Sequence, residues 1–179
     1  MLQKYNTRGV LELFFQEPTK GHYLLEISRK IKLAHTSVKK NLKQLIKEGL
    51  ITETIEKRGK RKFPIYSANI NNPDFKEKKK QHNLQEIMQS GLVKHIEEKL
   101  TPKSIVLFGS YQRGEDTEDS DIDLFIECKE EKIDITKYES ELKRKIQLHF
   151  NKDFTTYPKE LKNNIINGIV LKGFLEAYK

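Results

Sequence analysis

Ile105-Val106-Leu107-Phe108-Gly109-Ser110, then ten residues, then Asp121-Ile122-Asp123-Leu124-Phe125-Ile126 is the segment from which the rest of the chain can be interpreted. Two apolar runs flank a polar, acidic loop. The first has the continuous apolar character of a buried strand and stops at a glycine. The second carries aspartates at alternate positions. Strand side chains alternate, so Asp121 and Asp123 are expected on one face, with Ile122 and Leu124 on the core side. Two carboxylates about 7 Å apart along a strand suit a divalent cation with oxygen ligands. Gly109 would let backbone approach a phosphate closely, Ser110 can donate a hydroxyl hydrogen bond, and Arg113 is placed to meet a polyphosphate.

Gly109-Ser110, ten residues, Asp121-x-Asp123 resembles the signature of the polymerase-β-type nucleotidyltransferases. Phe108 to Glu115 and Ser120 to Leu124 are similar to the minimal branch of that superfamily. The resemblance runs from about Leu84 to Phe174, with Gly168-Ile169-Val170-Leu171-Lys172 in the place of the branch's last short strand. It implies a small mixed sheet with helices and transfer of a nucleoside monophosphate, expected to be AMP, from a nucleoside triphosphate, expected to be ATP. The acceptor would be a protein or small-molecule hydroxyl, and Mg²⁺ or Mn²⁺ would clamp the attacking and leaving oxygens. By the resemblance Asp121 and Asp123 are catalytic and metal-binding, while Gly109, Ser110 and Arg113 bind the nucleotide.

One departure bears on activity. The family usually places a third carboxylate on a following strand. Here a helix from Tyr138 to Lys145 is expected to lead into a strand Ile146-Gln147-Leu148-His149-Phe150, where the position falls on Gln147, with His149 next on the same face. Gln is neutral and His prefers softer metals. Either His149 or Asp153 substitutes, or catalysis is crippled. The alternative reading is therefore a DNA-binding transcriptional regulator or antitoxin whose transferase domain binds nucleotide with little or no turnover.

Outward toward the N-terminus the charge changes sign. Residues 1–82 hold 19 Lys/Arg against 8 Asp/Glu, and residues 83–179 hold 15 against 18, within a formal total of +8. A basic half joined to a mildly acidic one suggests two tasks, one involving a polyanion. Val10, Leu11, Phe14 and Phe15 mark a first helix, and Leu24, Leu25, Ile27 and Ile31 a second. Val38, Leu42, Leu45 and Ile46 mark a third, with His35, Thr36 and Ser37 as cap candidates and Gly49 as terminator. Leu50 to Glu56 and Phe63 to Ala68 read as a hairpin around a basic tip, Lys57 to Lys62. The stretch 5–70 resembles the winged helix-turn-helix domains of bacterial and archaeal regulators. That resemblance implies contacts to double-stranded DNA by Thr36, Ser37, Lys39, Lys40, Lys43, Arg58, Lys60 and Arg61. The third helix has no Arg and a single Asn, Asn41, so sequence specificity is expected to be modest or carried by a homodimer.

The fold expected is α+β: a winged helix-turn-helix at 1–70, a linker or helical extension at 71–83, and a nucleotidyltransferase-like domain at 84–179. Leu84, Ile87, Met88, Leu92, Ile96 and Leu100 predict an amphipathic helix bent at Gly91, with Met88 as core filler. No apolar run exceeds four residues, which excludes a membrane helix, and the lone Cys128 excludes an internal disulfide and a Cys-rich zinc site. These features predict a cytoplasmic protein. Minimal nucleotidyltransferases often pair with HEPN-type helical proteins, which makes such a protein a candidate partner.

Overall fold

Val10, Leu11, Phe14 and Phe15 are buried on one face of helix α1 (Leu2–Gln16), which is longer than their spacing alone predicts. The computed structural model describes residues 2–176. Next come a two-residue strand β1 (His22–Tyr23), helix α2 (Leu24–Ile31), helix α3 (His35–Lys47), and strands β2 (Ile51–Arg58) and β3 (Arg61–Ala68). Helix α4 (Pro73–Ser90) follows. Its first turns belong to one compact unit, Met1–Lys79, and the remainder to a second, Lys80–Lys179.

In the first unit Ile27, Val38, Leu42, Leu45, Leu50 and Ile51 close on α1 to make the core, with Phe75 edge-on to Phe15. Three expectations are corrected here. Leu25 is 51% exposed, because the apolar face of α2 centres on Ile27. The N-cap of α3 is Ala34, without a side-chain cap bond, so His35, Thr36 and Ser37 lie inside the helix rather than capping it. The basic tip is not a loop either: β2 and β3 pair out to Arg58↔Arg61, leaving Gly59-Lys60 as the turn. Gly59 has φ +61°, which suits a two-residue hairpin connection. Strand β1, unmarked by any pattern, pairs antiparallel with β3 through His22↔Tyr66 and Tyr23↔Ile65.

The second unit continues with α5 (Leu92–Leu100), β4 (Ser104–Phe108), α6 (Gly109–Arg113), β5 (Ile122–Ile126), α7 (Thr136–Leu142), β6 (Ile146–Phe150), α8 (Lys159–Ile166) and β7 (Ile169–Gly173). The sheet order is β6-β5-β4-β7, with β5 and β6 parallel and the other pairs antiparallel, so it is mixed. Period-two alternation splits β5 between two cores. Ile122, Leu124 and Ile126 pack with Ile87, Leu92 and Ile96, whereas Phe125 packs on the other face with Phe154 and Ile165. Gly91, at φ +79°, ends α4 and caps α5, which makes a break rather than a bend. Met88 is 55% exposed and so is not core filler. Helix α7 stops at Leu142, earlier than Lys145, with Lys143 left-handed at its cap. Among the described residues no helix is long and apolar enough to cross a membrane.

Candidate functional site

Strand β4 ends on Phe108, whose register partner is Asp123, so the turn into α6 passes directly over β5. Gly109 makes that approach possible. Its φ is +82°, and a Cβ placed there would strike the Asp123 carboxylate. Any other residue would meet both the left-handed backbone penalty and this collision. Asp121 stands just before β5 and Asp123 within it, both half-buried.

Strand β6 supports both carboxylates. The Gln147 amide donates to Asp121 Oδ2 at 2.5 Å, and His149 Nε2 lies 3.1 Å from Asp123 Oδ1, a pairing the Nε2–H tautomer satisfies. The parallel register Asp123↔Gln147 and Phe125↔His149 puts these side chains on the carboxylate face. Phe108 packs edge-on to the His149 ring, with centroids 5.1 Å apart. Asp153 is elsewhere. Its Oδ1 accepts from the Thr155 N–H and hydroxyl at the start of a 3-10 turn, Phe154–Thr156, past the far end of β6. The charge of Asp153 acts on Lys103, just before β4 and therefore at the opposite end of that strand from Gly109.

Two carboxylates beside a glycine turn form a hard-oxygen donor set, the kind Mg²⁺ or Mn²⁺ takes. Among the described residues no group of three or more His, Cys, Asp or Glu side chains is placed to hold an ion unaided. An ion here would complete its shell with oxygens from a triphosphate, and the residues present fit that arrangement. Ser110 is half-buried beside Gly109. Arg113 is exposed and paired with Glu115, Nε to Oε2 at 2.9 Å.

A family model described as a nucleotidyltransferase domain matches residues 89–171. Over 88 residues the chain is 39% identical to the Methanocaldococcus jannaschii protein named "Putative protein adenylyltransferase MJ0126", covering 46% of this chain and 80% of that one. The chain belongs to the nucleotidyltransferase domain family. A second protein of the same organism, "Putative protein adenylyltransferase MJ1379", is 57% identical over 37 residues, which is 21% of this chain and only 37% of that relative. No solved structure matches.

Within the nucleotidyltransferase domain, sequence reasoning missed a buried polar node. Asn83 donates to the Tyr111 carbonyl and to Asp116 Oδ1, both at 2.8 Å, and Arg144 Nη2 lies 3.7 Å from Asp116 Oδ2. The node ties α4, the loop leading to Asp121 and the entry to β6 together. Burial, then the charge of Asp116, pushes the Tyr111 hydroxyl far above its ordinary pKa, so it stays protonated. Asp116 sits in an acidic loop, and no periodic signal marked it as buried.

In the first unit Thr36, Lys39, Lys40 and Lys43 are exposed on α3, and Ser37 is half-exposed. Asn41 is buried and accepts from the Thr7 hydroxyl at 2.9 Å, which removes it from base reading. Lys60 and Arg61 are exposed at the hairpin tip. Arg58 is already engaged. Its Nε donates to Glu56 at 3.0 Å, its Nη2 to the Tyr23 hydroxyl at 2.6 Å, and its guanidinium stacks 5.3 Å from the Tyr23 ring. Tyr23 in turn donates to Glu56.

Proposed function

We propose that the Lys80–Lys179 unit transfers AMP from ATP to a hydroxyl group on a protein or small molecule, and that residues 1–70 are a winged helix-turn-helix bound to duplex DNA. The observation that carries the transferase reading is the Gly109 turn pressed against Asp123, with Asp121 on the same side. The names of the two relatives support a protein acceptor.

The chain's own residues divide the work. Gly109 leaves room for phosphate against the backbone, and the Ser110 hydroxyl can donate to a phosphate oxygen. Gln147 and His149 hold the two carboxylates in orientation. A divalent ion held by Asp121 and Asp123 would neutralise charge on the attacking and leaving oxygens. The acceptor O–H gives its proton to water, and its oxygen bonds to the α-phosphorus. The bond from that phosphorus to the bridging oxygen breaks, and pyrophosphate leaves with the electron pair.

A second reading is favoured by one observation. Gln147 occupies the position where a third carboxylate is expected, and Asp153 is spent on a turn. Loss of an anionic ligand weakens the nucleophile-side ion more than the one the triphosphate itself coordinates. On this reading the protein binds nucleotide, turns over slowly, and acts as a regulator or antitoxin on DNA. Incubation with α-labelled ATP and Mg²⁺ or Mn²⁺ separates the two. Label transferred to a hydroxyl acceptor, and lost in Asp121→Asn/Asp123→Asn, supports the enzyme. Nucleotide binding without transfer supports the regulator.

A further inference from the structure

We infer that Asn83, Asp116 and Arg144 are positioning residues for the nucleotide, holding Gly109 and Ser110 in register with the aspartates without touching substrate. The inference rests on the transferase reading above. It begins from what the cluster costs. Asn83 and Asp116 are 3% and 2% exposed, and the Arg144 side chain is 11% exposed. Polar groups buried this deeply lose their hydration, and apolar side chains of similar volume often fill such a space with equal or better stability. The benefit of the cluster therefore lies in what it holds.

Three segments converge on it, and each carries a group of the candidate site. Asn83 Nδ2 donates to the Tyr111 carbonyl and to Asp116 Oδ1, which uses both of its N–H groups. Tyr111 directly follows Ser110 in α6. That helix has five residues, too few for its own hydrogen bonds to make it rigid. The Gly114 N–H also reaches the Tyr111 carbonyl, at 3.3 Å, but from the same segment, whereas Asn83 holds it from α4. Asp116 lies five residues before Asp121. Arg144, facing Asp116, adjoins Lys145, whose carbonyl accepts the N–H of Ile122, the residue between the two aspartates, at 2.8 Å. Gln147, the donor to Asp121, follows three residues after Arg144.

The cluster acts through the backbone. Tyr111 shares a core with Ile122 and Leu124, whereas Asp123 alternates to the other face of β5. The tolerance it must keep is small. A Cβ on Gly109 would already strike the Asp123 carboxylate, so the turn and the strand stand at contact. A misplacement of about 1 Å among groups that hold a reacting ligand costs about 100-fold, and a fraction of that shift about tenfold. Freed from Asn83, α6 keeps only the bonds of its own segment, and the Gly109-Ser110 turn samples positions that no longer match the aspartates.

The test uses the whole chain with Mn²⁺ and a fluorescent ATP analogue, and reads the Kd beside the ligand-free Tm. Asn83→Leu with Asp116→Val and Arg144→Met replaces the cluster by apolar side chains. Its ligand-free Tm should stay within about 3 °C of wild type or rise, while its Kd should rise about tenfold. Loss of affinity at preserved stability is the signature that a merely structural cluster would not give. Asn83→Ser is the milder variant, because a hydroxyl donates one hydrogen bond where the amide donates two. Measured well below its Tm, it should bind the analogue about threefold more weakly, and it decides alone if the triple variant does not fold. A wild-type Kd in Asn83→Ser, or in a folded triple variant, overturns the inference and leaves the cluster as packing. A native chain that binds no analogue refutes the transferase reading, and this inference with it.

Discussion

Gln147→Asp puts the site's electrostatics to a direct test. In the native chain the Gln147 amide donates to Asp121 Oδ2 at 2.5 Å. A hydrogen bond to a charged group contributes about 1.5–3 kcal/mol when buried, and with Gln147 exposed about 1 kcal/mol is a fair share. The substitution removes that donor and sets a third carboxylate against Asp121. Two like charges about 4 Å apart repel by about 1 kcal/mol in water and about 4 kcal/mol at an effective dielectric near 20, and the partly exposed site falls near the lower end. The metal-free variant should therefore lose about 2 kcal/mol. For a unit the size of Lys80–Lys179 that lowers Tm by about 8–16 °C. Saturating Mn²⁺ with an ATP analogue reverses the sign, because ligand at about 100 times its Kd adds about 2.7 kcal/mol to a native state that alone binds it. The variant should gain more from the ligand than the wild type does, and transfer of label from ATP should rise. Scanning calorimetry with and without ligand measures the first two effects. A metal-free Tm within about 2 °C of wild type, together with an unchanged ligand response, would refute the facing of Gln147 and Asp121 and the role given to this strand position.

Asp121→Asn with Asp123→Asn should abolish the stabilisation that Mg²⁺ or Mn²⁺ with nucleotide confers, read as ligand-induced Tm shift; an equal shift in the double variant would make the carboxylates structural. Duplex DNA affinity should fall steeply with salt, at about −0.9 log units per neutralised phosphate. Lys60→Ala with Arg61→Ala should flatten that slope by about two units, while Arg58→Ala, already paired with Glu56 and Tyr23, should add well under one. Burial pulls the Glu17 carboxyl upward, but hydrogen bonds from Lys30 and Lys20 outweigh it and hold the group below its ordinary pKa. Its contribution to stability is present above the unfolded value, near about 4.3, and is lost as pH falls through the folded one. Acid unfolding followed by circular dichroism should show a weaker pH dependence in Glu17→Gln.

Several positions were legible because a repeating pattern fixes them. The alternation across Asp121 to Ile126 placed the aspartates on one face, and the five residues Ile146 to Phe150 form the strand that carries Gln147 and His149. What escaped had no period to reveal it. Strand β1 is two residues long, and Met88 sits at helical spacing yet faces solvent. Asp116 looks like one more acidic loop residue, and only the arrival of Asn83 and Arg144, from 33 residues before and 28 after, makes its burial tolerable. The pairing of Arg58 with Tyr23 was equally hidden, since it links positions 35 residues apart.

The division of β5 between two cores limits which changes of length the gene can absorb. A residue inserted between Asp123 and Leu124 would send each later side chain to the opposite face, exposing Phe125 to one core's geometry and Leu124 and Ile126 to the other's. Deletions there act alike. The ten residues ahead of Asp121 look freer, but Asp116 is pinned in place while the segment 117–120 spans only the gap to the strand. The exposed residues 129–132, between β5 and α7, have no such double duty. Length variation among relatives, and any engineered insertion of a tag or sensor, should therefore collect after β5 and be scarce between Asp116 and Ile126.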